Sequence, residues 1–370
     1  MTTFGEKLRA LMAERELSQR KLARLVPCDD GHLSKIANDR KRPSPELAAR
    51  LDALLKANGT LSVLLRSPSS RTWTDRLPTP DDAERLLLAA RRPSRADPAV
   101  VEALATVLAG ERRLEDRIGA MPLIPTACAQ LQVVDVLVSD ARGGIRPRLV
   151  DVASQWAQFA AWLHAAGHRL ADADRLYDRA IVWATEVDSP DMVATAWNMK
   201  GHTAWMRGEI GPMIGLSQVA ARDRRASPGV RALAAQQQAR GHAIAGDADA
   251  MDRQLDLAHE LTLEAAAHPD REPPWIYFFD TRMLTLQRAR AYLYLQDRTE
   301  AAVGLLETGL AEMAEEVRRS EWLAHYLADL ARAYRALHEN DEADRLVADI
   351  DQVATLTGSR TLARRVASLR

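Results

Sequence analysis

Cysteine is almost missing from this chain: Cys28 and Cys128 are the only two in 370 residues. Two thiols cannot build a disulfide framework, and neither sits at a paired metal-ligand spacing. The histidines add no metal pattern, because His164, His168, His259 and His268 are scattered and no HExxH run occurs. Lysine is scarce as well, with six residues, five of them before position 57. No segment is free of charge for the ~20 residues that a membrane span needs. The opening stretch MTTFGEKLRALMAERELSQR holds no apolar signal-peptide run. Strand-type alternation is absent, and so are GxxxxGK[ST], GxGxxG after a strand and GxSxG. The expectation is a cytoplasmic chain that is not an enzyme, with no metal, no cofactor and no membrane partner.

The remaining composition is that of an ordinary globular protein, 47% hydrophobic and 27% charged. At 370 residues, two or three structural units are expected. The net charge of −1 conceals an asymmetry along the chain. Residues 1–65 carry 12 Lys+Arg against 8 Asp+Glu, whereas residues 99–370 carry 31 against 38. A basic head on an acidic body is the charge pattern of a polyanion binder.

Almost every segment shows a 3.6-residue apolar period, which predicts an all-α fold. Phe4, Leu8, Leu11 and Met12 share one face of a first helix. Ser18 is the expected N-cap of a second helix, which buries Leu22 and Leu25. Asp29 is the expected N-cap of a third, with Leu33 and Ile36 inward. Ser44-Pro45-Glu46 starts a fourth. Residues 66–98, rich in Pro, Ser and Arg, read as a linker. Helical patterns over about 99–118 and 123–141 make residues 99–149 a pair of connecting helices.

From residue 150 to 370 the chain repeats itself. Turn positions at Gly167, Gly208, Gly246, Gln296 and His338 anchor five units of two helices each. The best unit is Ala196–Ile210, AWNMKGHTAWMRGEI, which resembles a tetratricopeptide repeat (TPR) through Trp197, Gly201 and Gly208. The spacings near 40 exceed the ~34-residue consensus, so these are TPR-like units with longer helices. Such units stack into a superhelix with a concave inner surface. Trp156, Trp162, Trp183 and Trp197 fall on apolar faces and read as core. The run Trp275–Phe279 follows Pro273-Pro274 without helical spacing and reads as an insertion that folds onto the groove or a partner protomer.

Leu17–Ser44, LSQRKLARLVPCDDGHLSKIANDRKRPS, resembles the helix-turn-helix of the Cro/phage-repressor (XRE) family. The matching residues include Leu17, Ser18, Gln19, Leu22, Ala23, Val26, Leu33, Ser34, Ile36 and Asn38. The resemblance implies a DNA-binding domain over 1–65 whose third helix enters the major groove. Asp30, Gly31, His32 and Lys35 would then meet base edges. Gln19 and Arg20 would hold phosphates. Arg40, Lys41 and Arg42 would touch backbone or minor groove.

An XRE head joined to a TPR-like body (150–370) resembles the RRNPP-type peptide-pheromone regulators and related actinobacterial XRE–TPR regulators. That resemblance implies a homodimeric transcription factor whose repeats bind a short peptide or a protein. The residues mark out a place for it. Repeat position five holds Asn198 and Gln236; position nine holds His202, Arg240, Arg290 and Arg332; Trp205 and Tyr294 follow one turn on. Amides pair with a peptide backbone and guanidinium groups with carboxylates. The alternative is that each arginine pairs with an acid of its own stack. The competing overall reading is a TPR-type interaction adaptor whose head does not read DNA.

Overall fold

The computed structural model describes residues 4–61 and 97–370, apart from 16, 27, 42, 58–59, 314–316 and 318–319. Among these residues every regular element is helical, with 17 α-helices and a few short 3-10 turns. The chain divides into two compact units, Met1–Thr72 and Trp73–Arg370. Nearly all of the expected linker, 66–98, lies outside the described residues.

In the first unit the sequence caps its helices one by one. α1 (Phe4–Glu14) is followed by α2 (Gln19–Leu25), α3 (Asp30–Ala37) and α4 (Pro45–Leu54). Ser18 accepts from the Lys21 amide, Asp29 from the His32 amide and Ser44 from the Leu47 amide. Each such cap is worth about 1 kcal/mol, which matters for helices this short. Leu8, Leu22, Leu33, Ile36, Leu51 and Leu55 close the core. Leu25, read as buried, is half exposed (50%): it is the last residue of α2, and Val26 just beyond it takes the place in the core. Gly5 sits against the end of α3, where a Cβ would lie 2.6 Å from the Ala37 carbonyl oxygen. Its amide instead donates to Asp39 Oδ1 at 2.8 Å. Asp39 itself adopts φ +55°, a left-handed position that Asp tolerates better than most residues.

The second unit opens with α5 (Pro98–Ile118) and α6 (Ile124–Asp140). Five antiparallel pairs follow: α7 (Ile145–Ala166) with α8 (Leu170–Glu186), α9 (Pro190–Met206) with α10 (Ile210–Arg222), and α11 (Pro228–Ile244) with α12 (Ala248–Ala267). Then come α13 (Thr281–Tyr292) with α14 (Thr299–Ala311), and α15 (Glu321–Ala336) with α16 (Asn340–Thr357). The first helix therefore starts at Ile145, before the expected boundary at 150. The turns inside the pairs hold Gly167, Gly208, Gly246, Gln296 and His338. Gly208 and Gly246 both take φ +79°, which a side chain would strain. The first helices of successive pairs pack on one another and make one continuous inner layer. α17 (Arg360–Leu369) closes the stack with Leu362 and Val366 buried.

The segment 121–140 is long and apolar enough to cross a membrane by length and composition, although it is not free of charge. Asp135 and Asp140 lie within it, and Asp135 pairs with Arg179 of α8. Val134 and Leu137 are buried in the core cluster that includes Leu149 and Ala153 of α7.

α5 does not pair with α6. It packs on α7 of the first pair, where Trp156 Nε1 donates to the Leu104 carbonyl at 3.2 Å. It also reaches α15 of the fifth pair. The Trp275–Phe279 insertion meets it from the side: Tyr277 donates to Asp116 at 2.6 Å, and the Arg112 guanidinium lies 5.8 Å from the Trp275 ring centre. α5 thus spans the inner layer from its first to its last pair. Trp156 and Trp183 are buried, and Trp162 and Trp197 half-buried.

Candidate functional site

The first candidate is the solvent face of α3. Leu33, Ile36 and Ala37 point into the head, which turns Asp30, Gly31 and Lys35 outward. His32 is half-buried beside its cap, with its amide held by Asp29 Oδ1 at 2.9 Å. Gln19 Nε2 donates to the Asp30 carbonyl at 3.2 Å, tying the start of α2 to the start of α3. Arg20 Nε stands 4.0 Å from Asp30 Oδ2, an exposed pair that offsets part of the carboxylate charge on this face. Arg40 and Lys41 are exposed just beyond α3. Arg42 lies outside the described residues.

Two helices meeting across a tight turn, with the second presenting its N-terminal half to solvent, have the shape that fits a major groove. Residues 3–65 match the family profile of a helix-turn-helix domain. This head is a helix-turn-helix domain. No curated protein matches the chain. The helix-turn-helix domain is of the XRE type and supports DNA binding; the region after it is helical throughout its described residues.

The second candidate is the inner layer of the helix stack. Asn198 and Gln236 are buried, at 2% and 3% exposure. Asn198 Oδ1 accepts from Gln237 Nε2 at 3.0 Å, and Gln236 Nε2 donates to Gln287 Oε1 at 3.1 Å. Position five therefore lies between the inner helices, where its amides are spent on neighbours, and not on their open face. Gln287 continues the chain to the Tyr326 hydroxyl at 2.6 Å.

Position nine divides into two kinds of arginine. Arg290 Nε donates to Asp329 Oδ2 at 2.7 Å, and Arg332 reaches Asp329 Oδ1 at 3.6 Å. Arg365 of α17 donates to the same carboxylate at 2.5 Å. Burial by itself raises the Asp329 pKa, but Arg290 and Arg365 overcome it and hold the group at about 2. Arg240 is different. Its Nη2 faces His202 Nδ1 at 3.3 Å and Gln237 Oε1 at 3.4 Å, and its Nε is buried with no partner. Burial, then Arg290, pushes its pKa down to about 10. Burial and Arg240 push His202 down to about 3, so the imidazole is neutral. Trp205 lies over the guanidinium at 4.2 Å and 5.1 Å from the His202 ring, and Trp162 lies 5.9 Å from His202 on the other side. Tyr294 is half-buried nearby and acts electrostatically on Arg240.

Sequence reasoning missed several members of this network: Trp162 as an inner-face aromatic, Gln287, Tyr326, Asp329 and Arg365. It also passed over Cys128, whose Sγ lies 3.3 Å from His164 Nε2, with Asp172 3.7 Å beyond Nδ1. Burial pushes that thiol up and the imidazole down, leaving a neutral pair. Among the described residues no cluster could hold a metal ion.

Proposed function

We propose that this chain is a sequence-specific transcriptional regulator of the cytoplasm. It binds operator DNA as a homodimer through α3, and a peptide or protein effector reaches the inner layer of its TPR-like stack. The outward face of α3 carries the reading: a capped helix start, the exposed Gly31 beside a half-buried His32, and the exposed Lys35 one turn on. Gly31 permits close approach to the duplex, while Lys35 and His32 donate to base edges or phosphates. Arg20, Arg40 and Lys41 supply the phosphate contacts that set register. Homodimerisation places two such helices on half-sites about 34 Å apart or a multiple of it.

Effector binding is supported by the polar inner layer, where among the described residues no acid forms an ion pair with Arg240 and its Nε has no hydrogen-bond partner. A TPR-type adaptor that leaves DNA unread is the second reading; Asp29 and Asp30, both exposed on the reading face, favour it. Anisotropy titrations of full-length protein on its operator separate the two. Lys35→Ala combined with Gln19→Ala should weaken binding by roughly 10–100-fold, given ~1–3 kcal/mol per good contact. Unchanged affinity in the double variant, or equal affinity for random duplexes, favours the adaptor.

A further inference from the structure

We propose that Arg240 receives one carboxylate of the effector, while Arg290, Arg332 and Arg365 hold the stack together. The inference rests on the effector reading above and narrows it to one residue and one ligand chemistry.

The charges on the inner layer do not balance locally. Four guanidinium groups, those of Arg240, Arg290, Arg332 and Arg365, share one carboxylate, Asp329, and that carboxylate is already taken by the other three. Among the described residues no acid lies within 4.0 Å of Arg240. It is 3% exposed, and its neighbours are neutral acceptors, His202 and Gln237. Buried cations are ordinarily paired, because losing water without gaining a counter-ion is costly. The Trp205 face at 4.2 Å recovers part of that cost. Its Nε is buried and has no hydrogen-bond partner. Nε–H and the adjacent Nη2–H form the fork that binds a carboxylate in two parallel hydrogen bonds, and a carboxylate there takes Nη2 from its long contacts with His202 and Gln237. An ammonium point charge has no such fork.

The surroundings describe the rest of the ligand. Trp205, His202 and Tyr294 give aromatic walls beside the fork, suited to a short peptide that presents a carboxylate flanked by apolar groups. The carboxylate comes from an Asp or Glu side chain or from a peptide C-terminus, since both offer the same two oxygens. Because Arg240 is so deeply placed, entry displaces Trp205, and binding will change indole fluorescence.

The test uses immobilised full-length protein and three pools of random hexapeptides. One pool has a free C-terminus, the second is amidated but contains Asp and Glu, and the third is amidated and acid-free. The wild type should retain the first or second pool over the third, and the preferred pool names the source of the carboxylate. Arg240→Met, which keeps the aliphatic stem, should lose that retention by at least about tenfold, as expected for a desolvated charge-assisted pair. Arg240→Lys should recover only part of it. In the absence of peptide Arg240→Met should melt above the wild type, and Arg290→Met, which strips Asp329 of a partner, should melt below it. Equal retention of all pools, or retention unaffected by Arg240→Met, overturns the carboxylate assignment while leaving a peptide groove in place. Retention of no pool removes both.

Discussion

The Tyr277 hydroxyl donates to Asp116 Oδ2 at 2.6 Å, joining the insertion between the third and fourth helix pairs to α5, 161 residues earlier in the chain. With Trp275 over Arg112 it fixes the crossing helix that closes the inner layer. Tyr277→Phe keeps the ring and deletes the hydrogen bond. The expected loss is about 1 kcal/mol, since the contact is partly solvated. That corresponds to a fall in Tm of about 2–4 °C. Hydrogen exchange should quicken in α5 and not in α12. Unchanged exchange in α5 shows that this bond does not hold the helix.

Asp329 should be the most sensitive single acid in the second unit. Asp329→Asn leaves Arg290 and Arg365 without their shared carboxylate, and breaking such a buried pair costs about 3–5 kcal/mol. The same carboxylate makes a pH signature. Its folded pKa, about 2, lies below the ordinary aspartate value, so its stabilisation is full above that ordinary value and is lost as pH falls towards 2. Urea midpoints between pH 2 and 5 should fall more steeply for the wild type than for Asp329→Asn. Parallel slopes contradict the hub.

Two carboxylates on α5 should behave in the opposite way. Burial pushes Glu111 and Glu115 up to about 7, with Asp116 adding to the effect on Glu115. The native state therefore keeps its protons where the unfolded chain has lost them, and stability falls as pH rises from about 4.3 to 7. Glu111→Gln with Glu115→Gln should remove that decline and melt above the wild type at pH 8. A double variant that melts lower at pH 8 shows that the ionised acids are paired after all.

In the head, Gly5→Ala places a methyl 2.6 Å from the Ala37 carbonyl oxygen and against the Asp39 carboxylate. The Ala37 oxygen is backbone and cannot swing away, so the cost should be about 1–3 kcal/mol, the usual range for overpacking. Chemical denaturation of the full chain should show an earlier transition for the head alone. A head transition unchanged by the substitution means that the α1–α3 contact has room for a methyl group.

What could be read from the sequence was local. Ser18, Asp29 and Ser44 announce helix starts because a cap acts within three residues, and all three cap in the structure. The all-α class followed from periodicity, and the turn glycines marked the pairs. The inner layer was harder, because its chemistry depends on which acid meets which arginine across stacked helices. Asp329 sits on α15 among many acids, and nothing in its own helix marks it as the shared partner of residues 290 and 365. Arg365 shares a helix with the buried Leu362 and Val366, and an amphipathic pattern gives the buried side of a helix but not the length of an arginine reaching around it. The crossing of α5 had no local signal at all.

The most direct measurement is selection from random duplexes by the purified full-length protein, followed by sequencing of what it retains. A dimeric regulator should enrich a palindrome whose half-sites are one helical turn or a multiple apart, with binding that falls steeply as salt rises. Lys35→Ala should relax the preference at one position of each half-site. No enrichment over random sequence at low salt, by the full chain or by residues 1–65, would contradict the regulator reading.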